Sequence, residues 1–172
     1  MAQKFMALVG GVKRLIEGLV SSAGAADAGK IPALGADGRL SMTMMPAGVG
    51  ANSQPATATE AIGAGKFVNF HDNGGTFSMR LADNSNGRRA DGFVLVAVAN
   101  AAVGEVYPLD QINSALTGLT VGSDYWLGTA GGVVTPALDE TNAGNAGKLS
   151  QYLGYAKSAT ELVTTDSDVV TL

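Results

Sequence analysis

The chain has no cysteine, so disulfides, thiolate metal sites and cysteine nucleophiles are excluded at the outset. It has a single histidine, His71, and aromatic residues make up only 6% of its 172 positions. Charged residues are scarce at 15%, and the net charge is -4. A net acidic chain with so few basic groups does not read as a nucleic-acid binder. No apolar run approaches the about 20 residues needed to cross a bilayer as a helix. Residues 1–20 do not read as a signal peptide, because their apolar positions are spaced and Glu17 interrupts them. No Gly-every-third pattern exists, which removes collagen.

What is abundant is apolar residues, 46%, and glycine, 24 positions. The apolar share argues against global disorder, and the length suits one domain, or one domain plus an arm. Residues 1–50 hold 5 basic and 3 acidic groups, whereas residues 51–172 hold 6 basic and 12 acidic. That change of sign marks a boundary near residue 50.

Residues 3–20 predict an amphipathic helix. Phe5, Leu8, Val9, Val12, Leu15, Ile16 and Leu19 recur at steps of three and four. A helix this short is marginal alone and needs a partner surface. Its own domain, other subunits and a membrane surface all remain open as that partner. Residues 21–30 are small and weakly structured and read as a linker. Gly24 with Gly29-Lys30 has the spacing of a phosphate loop, but Ile31 stands where the magnesium-binding hydroxyl belongs. Residues 31–50 place a tight turn at Asp37-Gly38 and carry Ile31, Leu40, Met44 and Met45 with no long element to bury them. Methionine adapts to irregular surfaces, so an arm lying on a neighbouring subunit fits this composition, as does a loop folded back on its own domain. Residues 51–58 read as a second linker, so that 21–58 form an extended arm between the helix and a β-rich domain over 59–172.

That domain predicts seven to nine short strands. Residues 66–70 and 76–81 flank Asp72-Asn73-Gly74-Gly75, a strong hairpin signal. Residues 92–99 are apolar on both faces and suit a buried central strand. Residues 104–109, 119–122, 124–127, 133–135, 149–156, 161–164 and 169–172 supply the others. The fold class expected is mainly β, an antiparallel sandwich or small barrel, with an N-terminal helix and extended arm.

Chemistry-bearing residues are few. His71 beside Asp72 has the elements of an oriented base, but no Gly-x-Ser-x-Gly nucleophile exists. The turns at 83–87 and 164–168 carry oxygen ligands suited to calcium, and the same residue types make ordinary turns. Arg88-Arg89 precedes Asp91 at the entrance to the most apolar strand. These arginines suit either an internal bridge to Asp91 or Asp83 or a bidentate bridge to a neighbouring subunit. Trp126, Tyr152 and Tyr155 suit a core rim, an interface or a sugar platform. No catalytic or metal-binding residues and no cofactor are assigned.

Several stretches, in their order, resemble small structural proteins of tailed bacteriophages, the capsid decoration or cement proteins. They are residues 59–68, Asn86-Gly87-Arg88-Arg89-Ala90-Asp91-Gly92-Phe93-Val94, Gly118-Leu119-Thr120-Val121-Gly122 with Tyr125-Trp126-Leu127-Gly128, and the 151–162 stretch. The arm from Gly29-Lys30-Ile31-Pro32 to Leu40, with Met44-Met45-Pro46-Ala47-Gly48-Val49-Gly50, is similar to phage virion linkers, and such motifs also occur in tail and fibre proteins. The resemblance implies no enzyme activity, a homotrimer, and contact with the major capsid protein on the capsid exterior after assembly in the host bacterial cytoplasm. It implies neither a nucleic-acid nor a membrane partner. Phe5, Leu8, Val12, Leu15, Leu19, Ile31, Leu40, Met44, Met45, Arg88 and Arg89 are the candidate self-association or capsid contacts.

Overall fold

The structure, a computed structural model, describes residues 4–36, 38–41, 44–45 and 52–172. Asp37 of the expected Asp37-Gly38 turn and the glycine-rich exit at 46–50 lie outside the described residues. The chain divides into two units, Met1–Ala51 and Asn52–Leu172.

In the first unit the expected helix over 3–20 is absent. Strands β1 (Lys4–Val9) and β2 (Val12–Glu17) form an antiparallel hairpin, with Val9 paired to Val12 across a two-residue loop. The loop is Gly10-Gly11, with φ of 59° and 80°. Both residues take the left-handed conformation that a two-residue hairpin turn demands and that glycine adopts without strain. In a helix the same pair would cost about 1 kcal/mol each relative to alanine. The helical spacing arises because both strands carry apolar residues on both faces, so a period of 3.6 finds matches as readily as a period of 2. Beyond β2, Leu19 bridges Pro32: its N–H donates to the Ile31 carbonyl at 2.9 Å, and Ala33 N–H donates back to it at 2.7 Å. The intervening chain is thus a closed loop rather than an extended linker. It holds a 3-10 turn at Ala25–Asp27, where the Asp27 carboxylate accepts from Ala23 N–H and from Lys30 Nζ, each at 2.6 Å. Those two donors, Lys30 foremost, hold the Asp27 carboxyl below its usual range.

The second unit contains β3 (Gln54–Ala58), β4 (Phe67–Asn73), β5 (Thr76–Leu81), β6 (Gly92–Phe93), β7 (Val103–Val106), β8 (Ile112–Asn113), β9 (Asp124–Leu127), β10 (Val133–Val134), β11 (Leu149–Ala156), β12 (Leu162–Thr164) and β13 (Val169–Thr171). Residues 52–58, read as linker, belong to this unit and supply β3. Five strands run in the order β6-β4-β5-β3-β7. Phe93 and Tyr107 then exchange backbone hydrogen bonds of 2.9 and 2.8 Å, which joins the two ends of the sheet into a small barrel. One pair, β3 with β5, is parallel, a departure from the all-antiparallel expectation. The second sheet runs β10-β9-β11-β12-β8, with β13 also on β11.

Alternation along the barrel strands sorts the core into two clusters. Val68, Met79, Val94 and Val106 point into the barrel with Ala56, Ala58, Ile62 and Val98. Phe67, Ala82 and Phe93 point out of it and pack with Leu119, Tyr125, Leu127, Leu153, Ala156 and Leu162 from the second sheet and its loops. This two-sided burial is why residues 92–94 are apolar on both faces. The expected strand over 92–99 nevertheless stops at Phe93; Val94 and Val98 are buried, and Val96 between them is 74% exposed.

Gln151, in the middle of β11, is only 1% exposed. Its Oε1 accepts from Ala90 N–H at 2.7 Å and its Nε2 donates to the Ala90 carbonyl at 2.9 Å, so one amide side chain satisfies both backbone groups of a non-strand residue. Gln151→Leu is expected to lower stability by about 2–4 kcal/mol, because two buried backbone groups lose their partners. Equilibrium urea unfolding measures this.

Candidate functional site

The β1–β2 hairpin carries the largest concentration of exposed apolar side chains in the first unit. Its register pairs Met6 with Leu15 and Leu8 with Lys13 on one face, and Phe5 with Ile16 and Val9 with Val12 on the other. Leu8 is 71% exposed and Leu15 70%. The candidate stripe is therefore divided: Leu8 and Leu15 share one face, Phe5 and Val12 the other. Val12 is exposed, while Phe5 is half-buried. Met6, exposed beside Leu15, was missed by the helical reading; alternation at period 2 finds it. Leu19 is half-buried where it bridges Pro32. Ile31, Leu40 and Met45 are exposed, and Met44 is half-buried. An isolated two-stranded hairpin is marginal in water, and an exposed, apolar strand edge is a template for pairing with another chain.

In the second unit the polar side chains mostly engage one another. Asp91 is a hub: Oδ2 accepts from Asn69 Nδ2 at 2.9 Å and from Phe70 N–H at 2.8 Å, and Oδ1 accepts from Arg89 Nε at 2.8 Å. Arg80 Nε donates to Asn69 Oδ1 at 3.0 Å, extending the network. Arg88 lies 3.8 Å from Glu60, whose Oε1 accepts from Leu81 N–H. Arg89 thus makes the internal bridge to Asp91, and Arg88 pairs with Glu60, while Arg88 and Asp83 exchange backbone hydrogen bonds.

His71 and Asp72 do not form a pair. The Asp72 carboxylate accepts from Gly75 N–H at 2.7 Å and closes the β4–β5 turn, whereas His71 Nε2 lies 3.4 Å from Thr59 Oγ1. The Asp83 carboxylate is occupied by donors: Oδ1 accepts from Ser85 N–H and hydroxyl, and Oδ2 from Ala130 N–H at 2.9 Å. Partial burial pushes its pKa up, but the Ser85 and Ala130 donors outweigh this and hold the carboxyl below its ordinary range. Among the described residues no group of three or more His, Asp or Glu is placed to hold a metal ion. A concavity of about 380 Å³ lies beside the Asp91 hub, lined by Phe70, Arg89, Asp110, Gln151 and Asp166. A second, apolar one of about 320 Å³ runs along β7, lined by Leu95, Val96, Val98, Val103, Glu105 and Tyr107.

Trp126 stacks edge-on to Tyr152 at 5.4 Å, and both are half-buried. The Tyr152 hydroxyl donates to Asp124 Oδ1 at 2.8 Å. Burial, then this bond to a carboxylate, pushes the Tyr152 phenol up to about 12. Because the folded protein holds this proton more tightly than the unfolded chain, the contribution is complete below pH about 10. It is lost as pH rises through about 12. Urea midpoints measured across that window are expected to fall more steeply for the natural chain than for Tyr152→Phe.

No protein-family model matches the chain, and no curated protein matches it. Comparison with solved structures finds a likeness to the N base of the head fibre gp8.5 of bacteriophage phi29. The identity is 19%, with 66% of this chain and 92% of that chain covered and a TM-score of 0.47. A likeness at this level fixes no role for any residue. One unit presents an exposed apolar hairpin; the other is a β-barrel with an outer sheet whose carboxylates are largely occupied by internal donors.

Proposed function

We propose that this chain is a structural virion protein that binds the assembled phage capsid and stabilises it as a decoration or cement protein. It works by surface complementarity and carries out no catalysis. The observation that carries the reading is the exposed apolar hairpin of the first unit, while the second, β unit has its own two cores built from its own residues. Burying a side chain of the size of Leu8 or Leu15 contributes about 1.5–3 kcal/mol, so a few such groups suffice for attachment. The N-terminal unit is the assembly module, joining copies to one another and to the shell, with Ile31, Leu40, Met44 and Met45 as further contacts. The order of motifs shared with decoration proteins supports the same reading.

A protein that binds the assembled shell and not its free subunits stabilises the shell by linkage. Attachment as a homotrimer makes the second and third contacts effectively intramolecular, so each contact can be modest. The test is imaging of intact particles carrying labelled protein. Density over the symmetry axes of the shell is the expected result. Density confined to the tail moves the assignment to a tail or fibre component, and absence from virions overturns it. The half-buried Trp126–Tyr152 pair favours one competing reading, a glycan-binding virion module. Retention on host-surface glycans that disappears in Trp126→Ala establishes that reading instead.

A further inference from the structure

The barrel is closed at one end only. Phe93 and Tyr107 exchange both backbone hydrogen bonds, but the chain then diverges from β7, and no such bond joins residues 95–97 to Val103 or Glu105. Because Tyr107 directs its N–H and C=O away from β3, Glu105 and Val103, two and four residues back, direct theirs the same way. Pro55, which has no N–H to give, lies opposite Glu105 on the β3 side and agrees with this parity. The result is a strand edge with unpaired backbone groups, beside the apolar cleft lined by Leu95, Val96, Val98 and Tyr107. Val103 is 68% exposed, and Glu105 accepts one hydrogen bond, from Ser53 Oγ at 2.9 Å, with no cationic partner among the described residues.

The chain itself contains a complementary edge. In a hairpin with a two-residue loop the closing pair, here Val9–Val12, exchanges both hydrogen bonds, and so do the alternate pairs Ala7–Arg14 and Phe5–Ile16. Lys4, Met6 and Leu8 therefore turn their backbone groups outward from β1. We infer that β1 of a second copy adds to the free edge of β7, antiparallel, with Lys4 opposite Glu105 and Met6 opposite Val103. In this register the outward backbone groups of Lys4 and Met6 meet those of Glu105 and Val103 as hydrogen-bonding pairs, and the added strand stops where Ala101 gives its N–H to the Ala58 carbonyl at 2.8 Å. Unlike charges face each other at one position and apolar side chains at the next. The Phe93–Tyr107 pair limits the added strand at the Glu105 end. The β2 edge offers a similar pattern through Lys13 and Leu15, but it would turn Arg14 toward the apolar side, where β1 turns Phe5 and Ala7. The charge asymmetry between residues 1–50 and 51–172 favours the same docking.

This inference rests on reading the N-terminal unit as an assembly module, and a test on free protein separates it from shell binding. The natural chain has no cysteine, so introduced thiols report cleanly. Full-length Met6→Cys chains mixed with full-length Val103→Cys chains are expected to form a mixed disulfide under mild oxidation. Its yield should exceed that of Leu15→Cys with Val103→Cys by roughly tenfold, since Leu15 lies one strand further away. Glu105→Lys should weaken association seen by sedimentation, and Lys4→Glu in the same chain should restore it. Disulfides only between two Met6→Cys chains would show hairpin-to-hairpin pairing and overturn the inference. So would the absence of mixed disulfide, or a bond formed only within a chain carrying both substitutions. If mixed disulfides form while labelled protein is absent from shells, the copy-to-copy contact stands and the capsid role falls.

Discussion

A chain lacking residues 1–51 is expected to fold into a β unit with a melting temperature close to that of the same unit in the full chain, and to have lost self-association and shell binding. The cut falls before Asn52, whose carbonyl accepts from Gln111 Nε2 at 3.0 Å, and before Ser53, which bonds Glu105. Both are retained, as are β3 and the strand ring it completes. The barrel core and the core beneath the outer sheet are built entirely from residues after 52. What is removed is the exposed apolar surface of Met6, Leu8, Val12 and Leu15. If only two such side chains are buried on assembly, their loss weakens binding by about 100-fold or more. Circular dichroism and sedimentation of the truncated chain measure the two effects separately. Loss of the β signal would mean that the N-terminal unit is needed for the fold, which overturns the division of labour drawn here.

The largest stability effect of a single substitution is expected at Gly154. This residue lies in the middle of β11, paired with Thr164 of β12 on one side and Tyr125 of β9 on the other, where the β9 register shifts by a bulge. Its φ is 139°, and a Cβ built there would run into the carbonyl oxygen of Val163, with the Val163 carbonyl carbon at 2.9 Å and Thr164 Cα at 3.0 Å. All of these are backbone atoms of a strand anchored by Leu162, which is fully buried, so they cannot swing aside as a side chain would. Gly154→Ala is expected to cost about 3–5 kcal/mol, from backbone strain together with the forced separation of two strands. That is a large share of the about 5–15 kcal/mol by which a domain of this kind is stable. Gly74→Ala offers the comparison: its φ is 64°, but nothing lies within 4 Å of the added atom. The expected cost there is about 1 kcal/mol, from the left-handed conformation alone. Denaturant unfolding of both variants tests the contrast, and a Gly154→Ala loss no larger than that of Gly74→Ala would overturn the placement of this bulge.

Parts of the candidate site were legible for local reasons. Exposure of Leu8 and Leu15 follows from an apolar segment too short to bury itself, whichever secondary structure it adopts. The shape of that segment was misread because Lys4–Val9 and Val12–Glu17 are apolar on alternate and on third positions alike, so periodicity could not discriminate. The deciding signal was Gly10-Gly11, two adjacent residues that fit a hairpin turn and oppose a helix. The free β7 edge left no trace in the composition of residues 103–106. It exists because the chain after Val94 bends away from β7 by a path that only the assembled barrel displays.

The strands that can be read from the sequence are those whose neighbours in space are also neighbours in the chain. Alternation in Phe77, Met79 and Leu81, with Asp72-Asn73-Gly74-Gly75 before it, determines β4, β5 and their register through the turn alone. The pairing of the 149–156 strand with the 162–164 strand, which follows it across one short turn, is of the same kind. Contacts across long separations were decided by tertiary structure: the parallel placement of β3 on β5, the Phe93–Tyr107 closure, the short β8, and the clamp of Gln151 on Ala90 across 61 residues. The physical reason is that a turn constrains the few residues on either side of it. Strand order, ring closure and the burial of an amide such as that of Gln151 depend on which surfaces meet once the whole chain has collapsed, and many sequences with the same local pattern would meet differently.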